Sequence, residues 1–387
     1  MPWKESSAME ERIRFVVLVH QEDRPFSALC EEFGVSRQTG YKWLRRYEEA
    51  GSLEGLAEAS RRPHTSPQRT PAELEARVVQ LRERHAWGAR KIKVRLEEEG
   101  ILLGEATINR ILSRKGLVAP RDRHRPATKR FCRQAANELW QMDFKGHFAI
   151  VEGLCHPLSI LDDHSRFLVA SHPLLGTQAK PVHERLVQAF QGYGLPQAML
   201  MDHGSPWWST TNALGLTWVS VALIKQGICL HFSGVGHPQT QGKVERLHGS
   251  LAWALQHLGA PQDLAEAEAF LATFRHDYNH LRPHESLDMD VPAQHYQASP
   301  RPYNPTPAPW HYPPGVEVLA LNSQGMLPYQ GRRYFVCEAL ACEPVGVQRF
   351  DDKLLVSFRH MFIRQIDLAT KHTVPLVQPV SDVSTMS

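Results

Sequence analysis

Cysteine is scarce in this sequence: six residues in 387, scattered and without a CxxC pair. Such a distribution predicts free thiols in a reducing cytoplasm and no cysteine zinc site. Long apolar runs are also missing, since the longest near the N-terminus, Phe15 to Val19, is far below the roughly 20 residues of a membrane span. Acidic residues (Glu5, Glu10, Glu11) stand where a secretion signal would be positively charged, so we expect neither a leader nor a membrane partner.

What is present is a globular composition with an uneven charge. Hydrophobic residues make up 42% and charged residues 22%, and the length predicts two to four domains. The net charge of +3 conceals a strongly basic stretch from Arg114 to Arg133, whose only acid is Asp122. Such a stretch is either a solvated linker or a segment that binds a polyanion. Arg121 and Arg123 are its candidate DNA contacts.

The first fifty residues predict three short helices, the last with a DNA-recognition face. Ser36 follows a turn at Gly34 and is a good N-cap for the third helix. The exposed side of that helix carries Arg37, Gln38, Tyr41, Lys42 and Arg45. Arg and Gln can reach base edges in the major groove, and Lys can reach phosphates. The pattern favours a helix-turn-helix domain; an ordinary three-helix bundle is the alternative.

A second set of three helical patterns begins at Thr70-Pro71, an N-cap followed by a first-turn proline. Its third helix exposes the candidate DNA contacts Thr107, Arg110 and Arg114. Between the two sets lies a Pro, Ser and Arg segment, in which Arg61 and Arg62 are candidates for a minor-groove arm. Two such units would read a longer DNA site than one.

From about Leu139 the helical pattern gives way to strands. Strands are predicted at 138–150, 157–161, 167–171, 196–201 and 228–232, with a helix at 182–193 and another that starts beyond Gly242. Three hairpin-linked strands followed by alternating helices and strands predict a mixed sheet covered by helices.

Three acids occupy unusual places in this region. Asp143 interrupts an apolar strand pattern, Asp202 ends another, and Glu245 lies beside a buried helical stripe. Acids so close to a core are either satisfied structural carboxylates or metal ligands. Hard oxygen donors suit Mg²⁺ or Mn²⁺, and two such ions can activate a hydroxyl or water for in-line attack.

Four blocks in this order resemble the DDE integrase core of bacterial insertion-sequence transposases and retroviral integrases. They are Trp140–Phe144, Asp202–Ser205, His237–Arg246 and Tyr278–Leu287. The resemblance spans about residues 137–297, and the tandem helix-turn-helix pattern ahead of it agrees. It implies an RNase H-like fold in which Asp143, Asp202 and Glu245 bind two Mg²⁺ or Mn²⁺ ions. It also implies that His237 and Lys243 contact DNA at the cleavage point.

The sequence departs from the family pattern in two ways. Between Asp202 and Glu245 lie 42 residues, an unusually long spacing, and we place the excess around Trp208 to Thr217. A longer surface loop is easily tolerated. The His/His/Cys/Cys zinc module of retroviral integrases is missing, which places the chain with the bacterial transposases. Asp162 and Asp163 are decoy acids in a hairpin turn, where Asp favours local hydrogen bonding.

Beyond a Pro-rich linker, five short strand patterns predict a small C-terminal β-barrel. Its basic residues, among them Arg332 and Arg359, would touch DNA or a partner subunit, or else the domain would simply cap the core. The predicted fold is thus an all-α tandem helix-turn-helix region, an α/β RNase H-like core and this barrel. The predicted order is a helix-turn-helix domain (1–55), a basic linker (56–69), a second helix-turn-helix domain (70–119), a basic linker (120–136), the core (137–298), a Pro-rich linker (299–314) and the barrel (315–387).

The resemblance implies a transposase that binds the terminal inverted repeats of a mobile element. Water would hydrolyse the phosphodiester at the element's end, and the exposed 3′-OH would then attack target DNA. Joining two ends implies a homo-oligomer on double-stranded DNA, a dimer or tetramer, in the bacterial cytoplasm and on the nucleoid when bound. The rivals are a domesticated, catalytically silent DNA-binding regulator and a plain ribonuclease H, which would leave the N-terminal modules without a purpose.

Overall fold

The computed structural model describes residues 7–58, 69–118, 132–209, 215–233, 242–376 and 379–380. By its internal contacts the chain divides into two units, Met1–Pro71 and Ala72–Ser387. No helix in these described ranges is long and apolar enough to cross a membrane.

Three helices form the first unit, as the sequence predicts. They are α1 (Ala8–His20), α2 (Phe26–Glu32) and α3 (Arg37–Ala50), followed by a 3₁₀ turn at Leu53–Leu56. Ser36 caps α3, because its Oγ accepts a hydrogen bond from the N–H of Thr39. Gly40 faces inward, where an added Cβ would lie 2.9 Å from both Cys30 Sγ and Phe15 Cζ. This close packing leaves the polar face of α3 outside.

The second unit begins with three more helices, which also match the prediction. They are α4 (Ala72–His85), α5 (Ala89–Glu98) and α6 (Glu105–Arg114). Their apolar stripes meet in one cluster, to which Val78, Ile92 and Ile108 contribute fully buried side chains. Leu281, which comes from the α/β core further along the chain, packs against this cluster. The three helices are therefore docked on the core.

A mixed sheet lies at the centre of the second unit. Its strands are β1 (Leu139–Phe144), β2 (Phe148–Ile150), β3 (Gly153–Asp162), β4 (Leu168–Leu174), β5 (Ala198–Met201) and β6 (Cys229–Ser233). β3 pairs antiparallel with β1, β2 and β4, whereas β1, β5 and β6 run parallel. The strand predicted over 138–150 is divided into β1 and β2, because Gly146 turns the chain with a φ of +88°.

Four helices cover this sheet. They are α7 (Ala179–Tyr193), α8 (Trp218–Lys225), α9 (Gly242–His257) and α10 (Leu264–His280). The predicted stripe of α9 is confirmed, since Val244, Leu247 and Leu251 are buried. Val244 and Leu247 pack against Leu161 of β3 and Tyr278 of α10. The helix that carries Glu245 is thus held against the sheet from both sides.

The C-terminal strands do not form the predicted barrel. Among the described residues, β7 (Glu317–Ala320), β10 (Pro344–Phe350), β11 (Lys353–Phe358), β12 (Met361–Asp367) and β13 (Thr373–Pro375) form an open antiparallel sheet in the order β13-β12-β11-β10-β7. A separate hairpin joins β8 (Met326–Tyr329) to β9 (Arg332–Phe335), and β14 (Pro379–Val380) extends the central sheet beside β6.

The physical reason lies in where this sheet buries its apolar face. Its buried residues, such as Val356 and Ile366, belong to the same apolar cluster as Ile224 of α8. Arg359 Nη1 donates a 2.6 Å hydrogen bond to the Lys225 carbonyl, and Lys225 forms an ion pair with Glu343. A sheet that packs on a neighbouring helix does not have to close on itself to leave water. Arg359 thus connects the sheet to the core, and its contact with DNA or a partner stays a prediction.

The Pro-rich segment is also attached to the core. Arg301 donates hydrogen bonds to the carbonyls of Pro196, Gln226 and Gly227. Ser299 Oγ donates to the Leu195 carbonyl at 2.7 Å. Proline stiffens the segment, but these contacts to the loops around β5 make it part of the core's surface rather than a free spacer.

Candidate active site

Asp143 and Asp202 lie next to each other at one end of two parallel strands. β1 pairs with β5 from Leu139 opposite Ala198 to Gln141 opposite Leu200. Two further steps in this register place Asp143 of β1 opposite Asp202, the residue that follows β5. Because side chains two residues apart on a strand share a face, the rigid centre of the sheet brings these two carboxylates together.

The environment of Asp143 is that of a carboxylate facing other carboxylates. Burial raises the pKa of Asp143 to about 7, and the charges of Asp202 and Glu245 act in the same direction. Its Oδ1 accepts the N–H of Phe144 at 2.8 Å, which opposes the rise. The ring of His248 lies beside its Oδ2, with Nδ1 at 3.7 Å, and burial lowers the pKa of His248 to about 4. His248 is therefore neutral near pH 7 and does not supply a counter-charge.

Trp207 holds Asp202 in place, and the sequence reasoning missed it. Its indole Nε1 donates to Asp202 Oδ1 at 2.8 Å, and the N–H of Gly204 donates to the same oxygen at 2.8 Å. The indole is 1% exposed and stacks on Phe144, with ring centroids 5.3 Å apart. Trp207 thus links the loop of Asp202 to the residue next to Asp143. A tryptophan in the polar loop directly after the Asp202 block was the available signal.

Glu245 is on the first turn of α9, directly after the undescribed residues 234–241. The residue is exposed to solvent, but the atoms around its carboxylate partly desolvate it, which raises its pKa. It acts on Asp143 through its charge. In the described parts of the chain, however, no three His, Cys, Asp or Glu side chains come close enough together to hold a metal ion. The structure therefore brings the two aspartates together and places the helix of Glu245 against their strands.

The donor chemistry nevertheless fits a hard divalent cation. Asp143 Oδ2, Asp202 Oδ2 and both oxygens of Glu245 accept no hydrogen bond from the described residues. Glu245 is exposed, but Asp143 and Asp202 are partly buried, and acids in such positions that serve only structure are normally hydrogen-bonded on both oxygens. Oxygen-only donors with mutual repulsion are the set that Mg²⁺ or Mn²⁺ neutralises. Asp143, Asp202 and Glu245 are thus the residues available to such an ion.

The decoy acids behave differently. Asp162 is fully buried, and both of its oxygens are satisfied: Oδ1 by the N–H and Oγ of Ser165, and Oδ2 by the N–H of Asn137. Local hydrogen bonding in the turn after β3 is what the sequence predicts for these positions. This full satisfaction is the contrast that distinguishes Asp162 from Asp143 and Asp202.

Asp163 has a partner that the sequence did not suggest. Its Oδ1 forms an ion pair with Lys243 Nζ at 2.5 Å and accepts from Gln141 Nε2 at 2.8 Å, while Oδ2 accepts the N–H of Arg133. The Asp163 side chain is 0% exposed and that of Lys243 is 16% exposed. Lys243, predicted to contact DNA, thus binds the first turn of α9 to the turn after β3. Its DNA contact stays a prediction.

The predicted recognition face of α3 is on the outside of its unit. Arg37, Gln38, Tyr41, Lys42 and Arg45 are all exposed. The same helix buries Gly40, so the side opposite this face packs inward. Such a polar, basic face on the third helix is the arrangement with which helix-turn-helix proteins enter the major groove.

The second recognition helix, α6, is partly occupied by internal contacts. Arg110 is exposed and donates from Nε to the Ala106 carbonyl. Arg114 Nη2 forms a 2.6 Å ion pair with Glu75, whose side chain is 5% exposed. Thr107 is half-buried. Arg110 therefore remains the most available of the three predicted contacts, whereas Arg114 has a structural partner on α4.

Five predicted contacts lie outside the described residues: Arg61, Arg62, Arg121, Arg123 and His237. The loop excess predicted around Trp208 to Thr217 is only partly described, since residues 210–214 are not. Its two flanks meet in a short antiparallel bridge between Trp208 and Leu216.

Family models match both halves of this architecture. A homeodomain-like domain matches residues 39–112, and a helix-turn-helix domain matches residues 11–64. Integrase core domains match residues 133–238 and 226–292. The predicted combination of helix-turn-helix domains and an integrase core is thereby confirmed.

Two curated relatives come from bacterial insertion elements. An uncharacterized 31.7 kDa protein of insertion element IS407 from Burkholderia multivorans is 27% identical over 256 residues, which cover 62% of this chain and 87% of the relative. An uncharacterized 39.2 kDa protein of insertion element IS476 from Xanthomonas euvesicatoria is 26% identical over 248 residues, covering 62% and 70%.

Two solved structures match this chain at 15% identity. The HTLV-2 integrase catalytic core domain in complex with magnesium covers 42% of this chain and 99% of its own, with a TM-score of 0.33. A chain of the simian T-cell lymphotropic virus intasome in complex with PP2A regulatory subunit B56 gamma covers 78% and 100%, with a TM-score of 0.39.

Proposed function

We propose that the chain is a transposase of the integrase superfamily, with helix-turn-helix domains ahead of an integrase core, and that it cleaves and joins DNA at the ends of a mobile element. The observation that carries this proposal is the pair Asp143 and Asp202 on adjacent parallel strands, with Glu245 on a helix packed against them. If these acids had only a structural role, we would expect both oxygens of each aspartate to accept hydrogen bonds.

The residues of the site have separable tasks in this proposal. When bound, Mg²⁺ or Mn²⁺ would activate the attacking water or 3′-OH and stabilise the leaving oxygen. Asp143 and Asp202 provide carboxylate oxygens in fixed positions, which would hold such ions. Trp207 and Gly204 keep Asp202 Oδ1 occupied, so that its Oδ2 faces outward. Packing of Val244 and Leu247 fixes the first turn of α9 and with it Glu245.

The helix-turn-helix units supply the specificity. We assign recognition of the terminal inverted repeats to the exposed face of α3, assisted by Arg110 of α6. Two ends have to be joined to each other, so the working form is a homo-oligomer, a dimer or tetramer, on double-stranded DNA. A domesticated regulator would keep this binding without the chemistry, and cleavage assays separate the two.

Replacing the basic face of α3 tests this assignment. Arg37→Ala is expected to weaken binding of the full chain to its terminal repeat by about 1–3 kcal/mol. The matched control is Arg24→Ala, which removes an exposed cation that is paired with Glu32 at 2.6 Å on the same unit. Fluorescence anisotropy against salt concentration provides the readout, with unchanged helical circular dichroism as the folding check. Equal losses in both variants would mean that the effect is general electrostatics and not recognition.

Trp207→Phe tests the support of Asp202. The phenyl ring keeps the stack on Phe144 but removes the Nε1 donor, so Asp202 loses one of the two hydrogen bonds that orient it. We expect metal-dependent cleavage to fall about tenfold, the equivalent of about 1.4 kcal/mol, with end binding unchanged. Single-turnover cleavage of a labelled terminal-repeat duplex measures it. Full activity would show that Gly204 alone is enough to hold Asp202.

A further inference from the structure

Arg282 is a half-buried cation whose guanidinium has no hydrogen-bond or ion-pair partner within the described ranges of the chain. Its Nε is completely enclosed and unbonded, and among the described residues its guanidinium makes no hydrogen bond or ion pair. Its Cζ is 5.8 Å from the ring of Tyr278, which is a weak contact for a charge in this position. Burial lowers the pKa of Arg282. Removing a guanidinium from water without a compensating acceptor is unfavourable, so such a group is typical of a site for an anion.

The groups around Arg282 are mostly cations as well. Lys91 of α5 interacts electrostatically with Arg282 and with Arg246 of α9, and burial together with these charges lowers the pKa of Lys91 to about 8. Glu285 is the acid whose charge influences both Lys91 and Arg282, but it forms no ion pair with either in the described structure. The three cations therefore outnumber the one acid, and the cluster carries excess positive charge.

His284 completes the cluster with a neutral ring. Burial lowers its pKa to about 3, with Arg282, Lys91 and Arg166 acting in the same direction. Its Nε2 is enclosed and has no hydrogen-bond partner in the described structure. Its ring lies against Tyr278, with centroids 4.8 Å apart. Two enclosed nitrogens, Arg282 Nε and His284 Nε2, are thus left unsatisfied within one short segment.

The cluster is at a fixed junction. Leu281 packs into the apolar cluster of α4, α5 and α6, so the three-helix unit and the core contact each other directly beside Arg282. Tyr278 and Asn279 of the same block have structural tasks: Tyr278 packs under Val244, and Asn279 pairs with both backbone groups of Leu168. Arg282 and His284 of the same block instead keep enclosed nitrogens that have no partner among the described residues.

We propose that this junction binds a backbone phosphate of DNA, with Arg282 as the central donor and Lys91 and Arg246 as flanking cations. A phosphodiester oxygen accepts charge-assisted hydrogen bonds from guanidinium and ammonium groups, and the anion neutralises the cluster. The identity of the anion as DNA rests on the proposed function, whereas the anion site itself does not. Because Arg246 follows Glu245 on α9, a phosphate held here would fix the DNA between the second helix-turn-helix unit and the carboxylates.

The test compares Arg282→Met with Lys93→Met in the full chain. Lys93 is the control because it is on α5, as Lys91 is, but its Nζ forms a partly exposed ion pair with Glu97 at 3.5 Å. Binding of a random-sequence DNA duplex is measured without divalent ions over a range of salt concentrations. We expect Arg282→Met to weaken binding about tenfold and to reduce the slope of log K against log salt by about 0.9, the loss of one phosphate contact. Lys93→Met should leave the slope unchanged.

Thermal unfolding without DNA separates this role from a structural one. Removal of an unpaired, half-buried charge should leave the Tm of Arg282→Met equal to or above that of the wild type. A lower Tm with an unchanged salt slope would overturn the proposal and make the guanidinium a structural group. Arg282→Lys is the second variant in case Arg282→Met does not fold: it should keep the slope and lose only part of the affinity, whereas a slope reduced as far as expected for Arg282→Met would contradict a phosphate contact made through charge.

Inorganic phosphate distinguishes the two sources of the same anion. If it raises the Tm of the wild type but not of Arg282→Met, while the duplex slope does not change between them, the site takes free phosphate and the assignment to DNA is overturned. Because no divalent ion is present, the outcome does not depend on catalysis. A chain that binds duplex through Arg282 but never cleaves would retain this site and lose the proposed function.

Discussion

Asp202→Asn is expected to abolish metal-dependent cleavage of a terminal-repeat duplex while leaving binding of that duplex unchanged. The amide keeps the size of the side chain and an oxygen acceptor for the N–H of Gly204 and for Trp207 Nε1, so the loop should keep its fold. It removes the negative charge at the end of β5 that, with Asp143, would hold the divalent ions. The loss of several kcal/mol of transition-state stabilisation corresponds to a fall of about 10³-fold in the cleavage rate.

Asp352→Asn is the matched control for this charge change. Asp352 is an exposed residue in the turn between β10 and β11, which belong to a different sheet from the one that carries Asp143. Cleavage by the control should equal that of the wild type, as measured on denaturing gels with Mg²⁺ or Mn²⁺ present. Nicking by Asp202→Asn at the wild-type rate would remove the carboxylate site from consideration. It would leave the regulator as the better description of the chain.

Lys243→Met should produce the largest loss of stability among single changes in the core. It leaves the carboxylate of Asp163, which is 0% exposed, without the Lys243 ammonium, while Nε2 of Gln141 and the backbone N–H of Arg133 continue to donate to it. Breaking one side of a buried ion pair typically costs about 3–5 kcal/mol. Urea unfolding followed by the fluorescence of buried tryptophans such as Trp140 and Trp207 measures the change in the free energy of unfolding.

Two companion variants make this result specific. Lys225→Met breaks the ion pair with Glu343, whose partners are about one-third exposed, and is expected to cost less than about 1 kcal/mol. The double variant Asp163→Asn/Lys243→Met removes both charges and should recover most of the loss. The double variant could fold well and yet bind cleavage-site DNA more weakly than the wild type. That result would mean that Lys243 contacts DNA as well as pairing with Asp163. A small loss in the single variant would instead mean that the ion pair opens readily to water.

The site was partly predictable because strand and helix patterns indicate which side chains point toward the core and which point away from it. Asp143 and Asp202 could be recognised because an acid interrupts or ends an apolar strand pattern, and the register of β1 with β5 places them opposite each other. Glu245 could be placed beside a stripe whose members Val244 and Leu247 are indeed buried. Asp162 looked like the same kind of acid in the sequence. It is distinguished by the hydrogen bonds it receives from Ser165 and Asn137.

Long-range partners were not predictable in this way. The pair Asp163–Lys243 joins residues 80 positions apart, and Trp207 reaches Asp202 through a loop with no regular period. The predicted barrel was wrong for a related reason. Four of the five predicted strands correspond to β7, β10, β11 and β12, and the fifth is the hairpin of β8 and β9. Whether a sheet closes depends on what covers its apolar face, and here α8 contributes to that cover.

The sequence by itself determined the kinds of element, their order and the chemistry available: two three-helix units with an exposed basic helix face, a mixed sheet and three acids suited to a divalent ion. These follow from local periodicity, capping and residue type, which are properties of neighbouring positions in the chain. Only the tertiary structure decided which acids are satisfied, which cations are paired and which remain without a partner. Lys243 and Arg282 are both basic residues within the blocks that resemble the integrase family. Lys243 is neutralised by a buried carboxylate, whereas Arg282 has no ion-pair partner among the described residues. That difference depends on distances between side chains far apart in sequence, which no local pattern encodes.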